Sequence, residues 1–263
     1  MTELLGDTHG VHTADNPLPF ALDAGGPDSW IILCDFDGTI SLRDVTDRLL
    51  ENFGKPGCET LENAWEAGHI GSRECMRGQI ALLDASRADM DNCLDSVEID
   101  PDFSAFVDLA AARGIAVRVI SDGLDYAIHR ILARYGIDTL PVAANHLEQV
   151  SERSWQLRFP HARSSCKQAS GNCKCAQMQQ PHVRRARIIF VGDGSSDFCA
   201  SHVADVVLAK DRLIDYCAAQ GIEYLPIHNF ADALQLLPGI LDNPPAEAPA
   251  HPLATPAILK VVG

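Results

Sequence analysis

Trp30-Ile31-Ile32-Leu33-Cys34-Asp35-Phe36-Asp37-Gly38-Thr39 decides how the rest of the chain is read. Five apolar residues run without interruption and stop at an acidic cluster. An uninterrupted run of this length suits a strand buried on both faces of a parallel sheet, because a half-exposed strand would alternate. Two further runs have the same form. Ile115-Ala116-Val117-Arg118-Val119-Ile120 leads into Ser121-Asp122-Gly123, and Arg187-Ile188-Ile189-Phe190-Val191 leads into Gly192-Asp193-Gly194-Ser195-Ser196-Asp197. Weaker strands are expected over 203–208 and 223–227, with short extended pieces over 140–160. A helix opens at Pro101-Asp102 and stops at Gly114, and another runs from Tyr126 to Tyr135, punctuated as helices usually are. Strands alternating with helices predict an α/β fold, a Rossmann-like doubly wound parallel sheet. In such sheets ligands sit beyond the carboxyl ends of the strands, so the three polar clusters are expected to meet at one edge.

Residues 44–100 show helical spacing only, through Val45, Leu49, Leu50 and Phe53, then Ile70, Met76, Ile80, Leu82 and Leu83. They predict a helical cap inserted into a core made of residues 29–43 and 101–240. Residues 1–28 lack any period and read as a loose leader. Pro and Ala accumulate after Leu237, and 241–263 is expected to be a disordered tail. The chain has 263 residues, 46% of them apolar, enough for one domain with an insert. Lys and Arg number 21 against 36 Asp and Glu, a formal charge of −15. That balance argues against nucleic acid as a partner, since phosphate backbones demand Lys and Arg. No stretch has the form of a secretory signal or of the roughly 18–20 apolar residues that cross a membrane. Nine irregularly spaced cysteines fit reduced thiols, so a cytoplasmic monomer or homodimer without a membrane partner is expected.

Asp35 and Asp37, two apart on an extended chain, are expected to share a face. Carboxylates that close repel unless a cation or a proton is shared. Magnesium takes one or two carboxylates together with phosphate oxygens and water, and Asp35, Asp37 and Asp193 suit such a site. One carboxylate can attack a phosphoryl group to give an aspartyl-phosphate. Its neighbour can protonate the leaving oxygen and later activate water. The transferred group carries charge on three oxygens. Ser121 and the backbone N–H groups that follow at Asp122 and Gly123 would bind it, with Lys174 as the cation. Each cluster taken alone reads equally as a turn; their joint placement after successive buried strands favours chemistry.

These residues resemble the haloacid dehalogenase superfamily of aspartyl-phosphate phosphatases. Asp35-Phe36-Asp37-Gly38-Thr39 is similar to its first motif, Val119-Ile120-Ser121 to its second, Lys174 to its third and Gly192-Asp193-Gly194-Ser195-Ser196-Asp197 to its fourth. The likeness covers roughly residues 30–230. It implies Asp35 as nucleophile, Asp37 as general acid/base, and Ser121 and Lys174 as phosphate binders. It also implies Mg2+ on Asp193, with Asp197 in support and the Asp37 carbonyl as a further ligand. A helical insert after the first motif is similar to the phosphoserine-phosphatase-like members. There Asp44 would read a substrate amine, whereas Gln79 falls where an arginine would hold a carboxylate, with Arg77 or Arg73 as substitutes. A closer likeness is to the methionine-salvage branch, the 2-hydroxy-3-keto-5-methylthiopentenyl-1-phosphate phosphatases. It rests on the Asp-Phe-Asp-Gly-Thr start, Asp44, and a cysteine-rich loop here formed by Cys166 to Cys175 and containing Cys173-Lys174. The implied partner is a small phosphorylated metabolite.

Cys166, Cys173 and Cys175, with His161 nearby, have neither the usual zinc spacing nor a fourth cysteine. They read as reduced thiols shaping the approach to Lys174. Cys34 and Cys199 read as small buried apolar residues. A non-catalytic protein sensing a phosphometabolite or redox state would have lost a catalytic residue, and all are present. A phosphonate-cleaving relative would need a cap lysine, for which the insert offers only Lys55.

Overall fold

The computed structural model describes residues 29–181 and 183–243. Seven strands form one sheet: β1 (Trp30–Cys34), β2 (Ala116–Leu124), β3 (Val142–Gln149), β4 (Trp155–Arg158), β5 (Arg187–Gly192), β6 (Val206–Ala209) and β7 (Leu225–Pro226). Their order is β4-β3-β2-β1-β5-β6-β7. Every neighbouring pair is parallel except the antiparallel β3 and β4. The expected parallel core is therefore present, and the extended pieces of 140–160 add a mixed edge to it.

Burial explains the uninterrupted apolar runs. Ile32 and Cys34 belong to one apolar cluster, Ile31 and Leu33 to another. Successive residues of a strand point to opposite faces, so β1 has a core on each side. On the first face lie α1 (Val45–Phe53), α4 (Arg87–Leu94), α5 (Phe103–Ala112), α6 (Asp125–Arg134) and α10 (Phe230–Asp242). The second packs α7 (Lys174–Met178), α8 (Phe198–Ser201) and α9 (Asp211–Gln220). Truncating Leu33 to alanine would cost about 2–5 kcal/mol, since it is 2% exposed.

The insert holds α1, α2 (Cys58–Glu66), α3 (Ser72–Ala81) and α4. Its inner residues Leu49, Ile80, Met90 and Leu94 join the same apolar cluster as β1 and α5, whereas α2 buries none of its residues. The β3–β4 hairpin grips the foot of the insert. Trp155 Nε1 donates to the Ala85 carbonyl at 2.8 Å, and Arg153 reaches Asp84 and Asp89.

Two expectations need correction. The second strand does not stop at Ile120: β2 runs on through Ser121-Asp122-Gly123 to Leu124, with a register shift against β3 in that stretch. Side-chain bonds from β3 and the cysteine loop sustain the extended backbone there. The chain does not leave the fold at residue 241, because α10 continues to Asp242 despite Pro238. Leu237 and Ile240 are buried on the same face as Phe230 and Ala233, four and seven residues from Ala233, and that stripe holds the helix together. The leader over 1–28, and the tail beyond residue 243, lie outside the described residues.

Candidate active site

Asp35 follows the last residue of β1, and its N–H extends the ladder by donating to Val191 O at 2.9 Å. The carboxylate is thereby fixed at the carboxyl end of the two central strands. Lys174 opens α7 and is 1% exposed. Its Nζ lies 2.7 Å from Asp35 Oδ2 and 2.5 Å from Asp197 Oδ1, and it donates to Ser196 Oγ at 2.8 Å. Burial works against the ammonium, but the Asp197 and Asp35 charges outweigh it and hold its pKa above the ordinary lysine value. Burial, followed by the Asp197 charge, pushes the Asp35 carboxyl well above the usual range, with Lys174 opposing the shift.

The loop after β5 brings the other acids. Asp197 Oδ2 accepts the N–H groups of Asp193 and Gly194 at 2.9 and 3.1 Å, so it shapes the turn that presents Asp193. Asp193 Oδ1 accepts from Thr39 Oγ1 at 2.7 Å. Its carboxylate packs against Gly38, where φ is 73° and a Cβ would lie 2.5 Å from Asp193 Oδ2; only glycine fits. Burial and the Asp197 charge push Asp193 up to about 6. Asp35, Asp193 and Asp197 each offer an oxygen, all within 4.8 Å of one another. Three hard oxygen donors against one lysine leave uncompensated negative charge, which fits a divalent cation such as magnesium.

Asp37 is placed apart from that grouping. Its Oδ1 accepts the Val45 N–H at the start of α1 at 2.9 Å, and its Oδ2 accepts from Ser121 Oγ at 3.4 Å. Asp35 and Asp37 have different hydrogen-bond partners, since the chain leaves β1 at Cys34 and turns at Asp37–Gly38. Burial pushes Asp37 up to about 6, with the Val45 N–H opposing the shift. Ser121 is fully buried and accepts the Gly123 N–H at 2.9 Å, so that N–H, expected to meet phosphate, already has a partner. A Cβ at Gly123 would collide with the Asp37 carboxylate.

Asp122 has a bracing position. Its Oδ2 accepts from Ser72 Oγ of α3 at 2.9 Å. Its Oδ1 accepts from Asn145 Nδ2 and the Asn172 N–H at 3.0 and 2.8 Å. Asn172 Nδ2 in turn donates to Ser121 O and Ala143 O. The insert, two strands and the cysteine loop are thus tied at one carboxylate. No role was expected for Asn145, Asn172, Thr39 or Ser196, although Thr39 and Ser196 stand within the first and fourth motifs and Asn172 within the cysteine loop.

The specificity candidates are each engaged by the protein itself. Asp44 caps α1 by accepting the Asp47 N–H at 2.9 Å. Its residue faces solvent, yet the protein crowded around it, with the Asp37 charge, pushes its carboxyl up to about 7. Gln79 is buried and donates to Glu62 at 2.9 Å. The Arg77 guanidinium lies 4.9 Å over the Phe159 ring.

All nine cysteines are free. Cys173 and Cys175 Sγ are 3.5 Å apart, with Cys166 near Cys173 and Cys199 of α8 near Cys175. Cys199 is half-buried with the Cys175 thiol as a neighbour, which corrects its reading as a small buried apolar residue. Among the described residues only the three aspartates gather closely enough to hold an ion.

Residues 32–202 match the haloacid dehalogenase-like hydrolases. Curated relatives named 2-hydroxy-3-keto-5-methylthiopentenyl-1-phosphate phosphatase include one from Lysinibacillus sphaericus (strain C3-41), 28% identical over 81% of this chain and 96% of that protein. Another, from Bacillus pumilus (strain SAFR-032), is 29% identical over 77% of this chain and 88% of its own. Among solved structures, a phospho-aspartyl intermediate analogue of phosphoserine phosphatase superposes with a TM-score of 0.61 at 17% identity, covering 78% of this chain and 97% of that one. That likeness shows the fold. Among the described residues no helix is long and apolar enough to cross a membrane. The chain belongs to the haloacid dehalogenase-like hydrolase family.

Proposed function

We propose that this haloacid dehalogenase-like hydrolase is a magnesium-dependent phosphatase acting on a small phosphate monoester through an aspartyl-phosphate on Asp35. The observation that carries the reading is the buried Lys174 ammonium between Asp35 and Asp197, with Asp193 beside them. Asp35 Oδ attacks phosphorus and the ester oxygen departs, taking a proton from Asp37. Asp37 then accepts a proton from water, whose oxygen attacks the phosphorus of the aspartyl-phosphate. Inorganic phosphate leaves and Asp35 is regenerated. A carboxyl pushed up to about 6 suits both halves of that exchange near neutrality. Lys174 and Ser121 offer donors to the phosphoryl oxygens. Asp35, Asp193 and Asp197 would hold Mg2+, which when bound would supply the positive charge that three acids and one lysine lack.

The insert serves in this reading as a cap over residues 44–100 that excludes water during transfer. The names of the relatives support 2-hydroxy-3-keto-5-methylthiopentenyl-1-phosphate, or a related phosphometabolite in the cytoplasm, as substrate. Phosphoserine is the second reading, supported by Asp44 near Asp37. It is weakened by Gln79 and Arg77, which are engaged by Glu62 and Phe159. A turnover screen over phosphorylated metabolites with Mg2+ tests the proposal. Release of phosphate from none of them, by protein that binds the cation, would favour a non-catalytic binding role instead.

A further inference from the structure

Lys210 is 7% exposed and stands between β6 and α9. Among the described residues it forms no ion pair within 4.0 Å. Its Nζ instead donates to the carbonyls of Gly38 at 2.9 Å and Thr39 at 3.2 Å. Burying an ammonium is costly unless its donors are satisfied, so a lysine spent on two backbone carbonyls asks for a reason. The two carbonyls belong to the turn after β1 that follows Asp35 and Asp37. The Lys210 backbone N–H meanwhile donates to Gly192 O at 2.9 Å, at the end of β5. The Leu213 N–H, one turn into α9, donates to Asp193 O at 2.8 Å. One residue therefore grips both chain segments that carry the acids, by its side chain on one side and its backbone on the other.

What lies between those two grips is the Thr39–Asp193 bond of 2.7 Å and the close seat of Gly38 on the Asp193 carboxylate. The next residue, Asp211, has φ 41° without being glycine. Such strain persists where the surroundings over-determine the backbone. We propose that Lys210 is a positioning residue: by holding the Gly38 and Thr39 carbonyls it sets the spacing of Asp35 and Asp193 for a divalent cation. The proposal rests on the phosphatase reading for its purpose, but cation binding can be measured without turnover.

The test replaces the ammonium and keeps most of the stem. Lys210→Met is compared with the unaltered chain for Mn2+ binding by electron paramagnetic resonance and for turnover at saturating Mg2+. Groups that orient the residues holding a metal typically change affinity about 10–100-fold when lost, so Mn2+ affinity is expected to fall at least tenfold. The kcat falls with it and KM stays near its original value. Thr39→Val should reproduce part of the loss. The double variant should lose no more than Lys210→Met alone, because both changes cut one linkage. Lys210→Arg, which retains donors, should recover part of the affinity. A folded Lys210→Met with a lowered melting temperature and Mn2+ affinity within about twofold of the original would make Lys210 structural only and overturn the proposal. If that variant does not fold, unchanged Mn2+ affinity in Thr39→Val overturns it instead. Loss of Mn2+ binding in a chain that hydrolyses no ester would sustain the positioning role and sink the phosphatase reading.

Discussion

Lys174 Nζ stands 2.7 Å from Asp35 Oδ2, and the two side chains are 0% and 5% exposed. In the proposed mechanism Asp35 must form the covalent bond, which an amide does not. Asp35→Asn is therefore expected to lower turnover roughly a thousandfold or more. Because burial and Asp197 already disfavour the ionised form of Asp35, the variant should melt at the same temperature or higher. Turnover and a thermal melt check both halves; full retained activity would end the nucleophile assignment.

Removing the lysine has the opposite effect on stability. Lys174→Met leaves Asp35 and Asp197 buried without their counter-charge, and breaking such a pair costs about 3–5 kcal/mol. Denaturant titration should show that loss. Saturating Mg2+ should recover part of it, since a ligand bound only by the folded state stabilises it. A variant as stable as the original chain would refute the counter-charge role.

These two predictions use residues that the sequence exposes. Asp35, Lys174, Asp193 and Asp197 stand at or beside the ends of apolar runs or in a marked loop, and the sheet order follows from strand–helix alternation. Asp37 was placed less well, since its carboxylate is aimed by the turn at Gly38 and by the Val45 N–H. Asn145, Asn172 and Lys210 were invisible for a related reason. Their roles come from hydrogen bonds across 23, 50 and 172 positions of chain, and local pattern carries no trace of partners that distant. Cys199 likewise acquires a neighbour only when α8 meets α7.

The bond from Ser72 Oγ to Asp122 joins the insert to the floor of the site. Ser72→Ala removes a contact worth about 1 kcal/mol, and if the insert closes over substrate, closure is weakened by that amount. KM should rise about fivefold with kcat little changed, and amide exchange over α3 should quicken. Unchanged KM and exchange would mean that the Ser72 contact does not govern closure.

Arg153 offers a pH test. Its hydrogen bond holds the Asp84 carboxyl below the usual range, and Ser86, with Arg153 behind it, does the same for Asp89. Carboxyls lowered in the folded state add stability above their unfolded value and lose it as pH falls through the folded value. Arg153→Ala should therefore melt lower than the original at pH 7, with the gap closing below about pH 4. A gap that widens in acid would reverse the assignment.

Zinc content tests the cysteine thiols. Tetrahedral zinc needs four converging donors, whereas among the described residues Cys166, Cys173, Cys175 and Cys199 do not form a gathered metal-ligand group. Protein purified without chelator should carry less than about 0.1 equivalent of zinc. A full equivalent by elemental analysis would show that the thiols converge in solution.

The two outermost strands bear on how copies of this chain can meet. β4 has four residues and packs against α3; β7 has two, the second being Pro226, which has no N–H to give. A strand edge recruits another strand only where a row of free donors and acceptors lies open, and neither end of this sheet presents one of useful length. Edge-to-edge strand addition is disfavoured at both ends of the sheet by the shortness of β4 and β7 and by Pro226.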